Sequence, residues 1–110
     1  MGSSAASAGS ATPVYIISDV TVKDRNAMEG YRTRAAPTIA LYGGRHLVRG
    51  GEAEALQGTW LPRMFVIAEF PDREIARRWY RSPEYAQALA FRDAGLSRNL
   101  ILVDGVPQPL

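Results

Sequence analysis

Two arginines and two carboxylates are the residues of this 110-residue chain best suited to act on a small anion. Arg45 and Arg49 belong to a predicted strand, on which positions 45, 47 and 49 share a face and the two arginines stand about 13 Å apart. Guanidinium groups bind carboxylates and enolates through paired hydrogen bonds. The alternative is structural: both arginines form ion pairs with Glu52, Glu54 or Glu69, or lie at the rim of an interface.

Glu69 and Asp19 are the candidate catalytic residues. Glu69 lies near the end of the most apolar predicted strand, and Asp19 shares one side of the first strand with Tyr15 and Ile17. A carboxyl group in apolar surroundings holds its proton more readily and can serve as a general acid or base. Alternatively, nearby arginines hold these carboxylates in buried ion pairs. If both faced one pocket, they would form a catalytic pair.

His46, Tyr31 and Tyr80 complete the candidate ligand-binding residues. His46 is the only histidine and cysteine is absent, so the chain lacks the three or four ligands of a typical zinc site. A partly buried strand histidine is the structural alternative. The tyrosines could orient a planar ligand, or they could serve as core and interface residues instead. We expect no metal and no bound cofactor.

The glycine-rich segment "YGGRHLVRGGEAEALQG" (42–58) is predicted to be structural. A phosphate-binding loop places its glycines before a helix and ends in Gly-Lys-Ser/Thr. Here the glycines follow a predicted helix, and no lysine comes after them. The segment is therefore predicted to form the end of a helix, a strand and a turn.

The elements that position these residues follow from hydrophobic spacing and breaker residues. Helix N-caps are predicted at Asp24, Asp72 and Ser82, with a helix end at Gly43 and a kink or restart at Pro37. Strands are predicted over 13–22, 45–49, 63–70 and 99–105, an extended piece over 52–57, and a last helix from 82 to about 93. The order β-α-β-β-α-β predicts an α+β, ferredoxin-like domain with an antiparallel sheet.

Both faces of several predicted strands are apolar, as in Val14 and Ile16 against Tyr15 and Ile17. The helices can cover only one face of the sheet, so we predict that a second copy covers the other, giving a homodimer. One domain is expected over 13–106, with a low-complexity or cloning-derived tail at 1–12 and a C-terminal tail at 107–110.

The net charge of +2, with its arginines scattered among acids, does not predict nucleic-acid binding. No apolar stretch has the length of a membrane span. The absence of cysteine fits a cytoplasmic protein.

Three blocks resemble the uncharacterised domain-of-unknown-function family 1330 of the dimeric α/β-barrel superfamily: "YRTRAAPTIALYGGRHLVRGG", "EALQGTWLPRMFVIAEFP" and "ARRWYRSPEY". The resemblance spans residues 14–106, and His46 departs from the bulky residue common in the family. It implies a ferredoxin-like subunit and a dimer whose two sheets form a barrel, but no reaction. The matching positions are Tyr31, Tyr42, Gly43, Gly44, Arg45, Arg49, Gly50, Gly51, Trp60, Glu69, Phe70, Trp79, Tyr80, Ser82 and Tyr85.

Two functions are compatible with the sequence. The first is a cofactor-independent enzyme acting on a small anionic or carbonyl-containing metabolite. The alternative is a non-catalytic module for small-ligand binding or assembly. Glu69 and Arg45 facing a pocket would favour the enzyme, whereas mutual pairing of these side chains would favour the module.

Overall fold

The computed structural model describes residues 10–109, so most of the tail predicted at 1–12 lies outside the described residues. Residues at the inner ends of both predicted tails pair as two short antiparallel strands. The elements are, in chain order, β1 Ser10–Ala11, β2 Val14–Val22, α1 Arg25–Leu41, β3 Arg45–Glu52, β4 Met64–Phe70, α2 Arg73–Tyr80, α3 Pro83–Leu89, α4 Arg92–Gly95, β5 Leu96–Asp104 and β6 Gln108–Pro109.

The larger sheet has four antiparallel strands in the order β3-β4-β2-β5. Side chains alternate between its two faces, as the strand repeat requires. On β2, Val14, Ile16 and Val20 are buried in one core with helix residues such as Met28 and Trp79. The helices therefore pack on one face, and the protein has a mixed α+β architecture.

Helix α1 begins and ends as its sequence predicts. The Asp24 carboxylate accepts a hydrogen bond from the Ala27 amide at 2.8 Å, which caps the first turn. At the other end, the Gly43 amide donates to Ala40 and the Gly44 amide to Ile39, with Gly43 at φ 78°. This pair of bonds is a Schellman ending, and glycine takes the positive φ without steric cost.

Of the kink or restart predicted at Pro37, the restart is wrong, because α1 is a single element that continues through this proline. Proline removes one amide donor from the helix, a local cost. The buried residues on both sides of it, Ala35 and Ile39 among them, hold the helix against the sheet. Tertiary packing therefore outweighs the local preference.

The second helical region is more divided than predicted. Asp72 and Ser82 cap α2 and α3 through their side-chain oxygens, as expected. However, α3 ends at Leu89 instead of near residue 93, and the break lets the Phe91 ring pack against Gly30 of α1. Strand β5 starts at Leu96, three residues early, because Leu96–Arg98 pair with the end of β2. The extended piece predicted at 52–57 is not a strand beyond Glu52.

The face of the sheet opposite the helices, which we call the open face, is largely apolar. Ile17 and Ile67 lie opposite each other at its centre, and Ile101 and Val103 on β5 are 55% and 38% exposed. The segment between β3 and β4 contacts this face through Trp60, whose ring meets Phe65 edge-on at 5.4 Å. These residues form the apolar second face that the sequence predicted.

Candidate ligand-binding site

Arg45 and Arg49 do not share a face, so the predicted arginine pair is wrong. The register of β3 against β4 shifts between His46 and Val48 and again between Arg49 and Gly51. Arg45 lies opposite Glu69, whereas Arg49 lies opposite Val66, three positions along β4. Because side chains alternate along β4, an odd separation places the two arginines on opposite faces.

Arg45 and the two candidate catalytic carboxylates lie on the open face. The Arg45 Nε atom donates to Glu69 at 2.8 Å, and 72% of the Arg45 side chain is exposed. Asp19 accepts from the Trp60 indole at 3.1 Å and from the Arg63 amide at 3.2 Å. Asp19 lies opposite Phe65, four residues from Glu69 on β4, so the carboxylates are about 13 Å apart. They do not form a catalytic pair.

Three of the predicted ligand-binding residues come together on the helix side of the sheet. His46, Arg49 and Tyr31 line a cavity of about 390 Å³ between α1 and β3. The rest of its lining consists of Glu29, Arg32, Thr33 and the apolar residues Met28, Ala35, Ala36 and Val66. This volume suits a small organic molecule. We call it the α1–β3 cavity.

The charge in the α1–β3 cavity comes mainly from its arginines. Arg32 is 3.6 Å from the Glu29 carboxylate, and both side chains are substantially exposed, so this ion pair is weak. Within residues 10–109, no carboxylate forms an ion pair with Arg49. Arg49 can therefore offer its fork of donors to an anion in the cavity.

The surroundings of His46 favour its neutral form. Burial lowers the pKa of the His46 imidazole from its ordinary value of 6.5, and the positive charge of Arg49 lowers that pKa further. A neutral imidazole offers one donor and one acceptor, so it can orient a polar group without adding charge.

We expect the single histidine resonance to titrate below pH 6.5 in an NMR pH series. Arg49→Gln should raise the pKa of His46 but leave it below 6.5, because burial is the larger cause. The pKa of His46 is lower in the folded protein than in the unfolded chain, so the neutral imidazole contributes to the free energy of unfolding above pH 6.5. This contribution is lost as the pH falls through the pKa that His46 has in the folded protein. A His46 pKa at or above 6.5 would contradict this account.

Beside the cavity, Tyr31 belongs to a buried network that sequence reasoning missed. The Tyr31 and Tyr85 hydroxyls are 2.6 Å apart, and the Arg98 guanidinium donates to them at 2.8 and 2.7 Å. Burial raises the pKa of the Tyr85 phenol well above its usual range, so it stays protonated. Burial lowers the pKa of Arg98, but the two phenol oxygens more than offset this, so that pKa is raised.

Tyr80 lies away from the α1–β3 cavity. It is 41% exposed and lines two cavities beside β5, at the opposite edge of the sheet. Within residues 10–109, no three His, Cys, Asp or Glu side chains group as metal ligands would. In the same range, no helix is long and apolar enough to span a membrane.

Comparison with known proteins gives a family and a fold. A family model described as a domain of unknown function, DUF1330, matches residues 13–106. The crystal structure of RPA0582, a protein of unknown function from Rhodopseudomonas palustris, is similar with a TM-score of 0.71 and 21% identity, over 86% of this chain and 82% of that one. The methylated form of RPA0582 has a TM-score of 0.72 at 21% identity, over 91% and 86%. No curated protein matches.

Proposed function

We propose that this chain, which belongs to the DUF1330 family of domains of unknown function, is a homodimeric domain that binds a small carboxylate in its α1–β3 cavity. The observation that carries the proposal is the convergence of Arg49, His46 and Tyr31 on one cavity. A ligand with an apolar body and one carboxylate fits best, because the cavity combines apolar walls with one unpaired guanidinium.

The binding module is favoured over an enzyme by the state of the two candidate catalytic carboxylates. Glu69 accepts from Arg45, and Asp19 accepts from the β3–β4 segment. Both lie on the open face, on the opposite side of the sheet from the cavity. Each carboxylate is already hydrogen-bonded, and the sheet lies between it and a ligand bound beside Arg49.

Benzoate and the neutral benzamide, two probes of nearly equal shape, test the ligand class. Benzoate should bind at least about tenfold more tightly than benzamide, because only benzoate accepts charged hydrogen bonds from Arg49. Bound benzoate should also raise the pKa of His46, since a nearby negative charge favours the imidazolium form. Calorimetry gives the affinities, and NMR gives the pKa.

Arg49→Gln is the matched variant, because it removes the charge and keeps most of the side-chain length. It should abolish the preference for benzoate. Equal binding of the two probes to the unchanged protein, or a His46 pKa that benzoate does not move, would refute the proposed site.

The homodimer is the second part of the proposal. The strand order β3-β4-β2-β5 with its two helical connections supports a ferredoxin-like subunit, and the apolar open face from Ile67 to Ile101 supports its pairing with a second copy. Apolar surface of this kind is stabilised by removal from water, and an identical sheet offers a surface of matching shape. The α1–β3 cavity stays accessible in such a dimer because it lies on the helix side.

Ile101→Asp should weaken the dimer by about a hundredfold or more, because the interface would have to bury an unpaired carboxylate. Sedimentation equilibrium over a concentration series measures this change. Leu41→Asp is the matched control: Leu41 is 65% exposed at the end of α1, on the helix side. Both sites are exposed within one protomer, so neither change should unfold it. A monomeric unchanged protein, or equal dissociation of the two variants, would contradict the dimer.

A further inference from the structure

Arg98 is a partly buried cation at the β5 edge of the sheet without an acidic partner. Within residues 10–109, no carboxylate forms an ion pair with it. Two of its five N–H groups donate to the Tyr31 and Tyr85 hydroxyls. The other three have no hydrogen-bond acceptor among these residues. The remaining N–H groups of this cation can therefore donate to an anion in a neighbouring cavity.

The hydroxyl pair offers one more donor. Both phenol oxygens accept from Arg98, and one phenol donates to the other. The proton of the remaining phenol has no acceptor in the described part of the chain. The network as a whole therefore has donors to spare and no negative charge.

A cavity of about 380 Å³ adjoins this network. Its lining includes Arg98, Lys23 and Arg92, with Ser97 and Tyr80 beside them. It is more polar than the α1–β3 cavity.

The one acidic residue of this lining does not neutralise the cations. Asp93 pairs with Arg92 at 3.1 Å, but its side chain is 87% exposed, so the pair is weak. Lys23 is held by the backbone carbonyl of Asp93, which fixes its ammonium group without cancelling its charge. Three cations thus share one cavity with a single solvent-facing carboxylate.

We propose that this cavity at the β5 edge binds a doubly charged oxyanion such as a phosphate group. Two guanidinium groups and an ammonium match the charge and the several acceptor oxygens of a phosphate better than those of a monocarboxylate. The site lies toward the opposite edge of the sheet from the α1–β3 cavity, since β3 and β5 are the two edges, about 14 Å apart. The hydrogen bond from Arg98 to Tyr31 connects the linings of the two cavities.

Calorimetric titration with inorganic phosphate tests this site, with acetate as the singly charged probe. Phosphate should bind and acetate should bind at least about tenfold more weakly. The variant K23Q/R92Q should weaken phosphate binding by about tenfold or more, and it leaves the buried Arg98 network intact. Arg78→Gln, which removes an exposed charge from α2, should have no effect.

Three results would overturn the site: no phosphate binding up to about 10 mM, equal binding of acetate, or an unchanged affinity in K23Q/R92Q. The pKa of His46, measured by NMR, distinguishes failure of the phosphate site from failure of the carboxylate site. Phosphate at the β5 edge should not move the pKa of His46, because salt screens charges over about 10 Å. Phosphate that binds and shifts His46 would instead occupy the α1–β3 cavity and refute the site at β5.

Discussion

Tyr85→Ala is expected to lower the free energy of unfolding by about 3–5 kcal/mol. Tyr85 is fully buried, and its ring lies 4.2 Å from that of Trp79. Removing the ring leaves a cavity between α1, α2 and α3, which the neighbouring side chains cannot fill without leaving their rotamers. The hydroxyl is lost as well, and with it an acceptor for Arg98.

Urea unfolding of Tyr85→Ala, followed by circular dichroism, measures this loss. Tyr85→Phe separates the ring from the hydroxyl: it keeps the packing, and Arg98 keeps its bond to Tyr31, so we expect a cost of only about 1–2 kcal/mol. If the two variants were equally destabilised, the hydroxyl network and not the packing would dominate, contrary to this prediction.

Gly95→Ala is the second large change, with an expected loss of about 3 kcal/mol. A methyl group added at Gly95 would lie 2.7 Å from the Met28 nitrogen and 2.8 Å from the Ala27 carbonyl carbon. These are backbone atoms of α1, so no side-chain rotation relieves the clash. The Gly95 carbonyl also accepts from the amides of Lys23 and Asp24, which anchor the start of α1. The substitution forces α1 and α4 apart at this anchor.

Gly51→Ala is the control for this glycine. The nearest atom to an added methyl group there is a methyl of Val48 at 3.4 Å, and its φ is not in the left-handed region. Thermal unfolding should therefore show little change, or a small gain from the stiffer unfolded chain. Equal melting temperatures for the two variants would mean that α1 can move to accommodate a methyl group at position 95.

Sequence periodicity predicted the core well, because burial and spacing are directly linked. The α1 stripe from Met28 to Ile39 is buried, and the caps at Asp24, Asp72 and Ser82 are present. These features depend on residues within a few positions of one another, so local sequence determines them.

The site residues were predicted less completely, because their positions depend on pairing between distant strands. The face on which Arg49 lies is set by irregular register against β4, and the sequence of β3 alone reads as a regular strand. Arg98 was missed because the predicted strand began after it. Arg98 alternates along β5 with Leu96, Leu100 and Leu102. This alternation is the sequence signal that would have placed Arg98 on the core face of the strand.

The irregular register of β3 also bears on whether another strand can add to the edge of the sheet. β3 is an outer strand of the sheet, and the unpaired backbone groups of such a strand can recruit another chain. Two interruptions within eight residues break the regular row of donors and acceptors that an added strand would need. The opposite outer strand, β5, keeps an even register over nine residues. Addition of another strand to the sheet is therefore disfavoured at β3 and easier at β5.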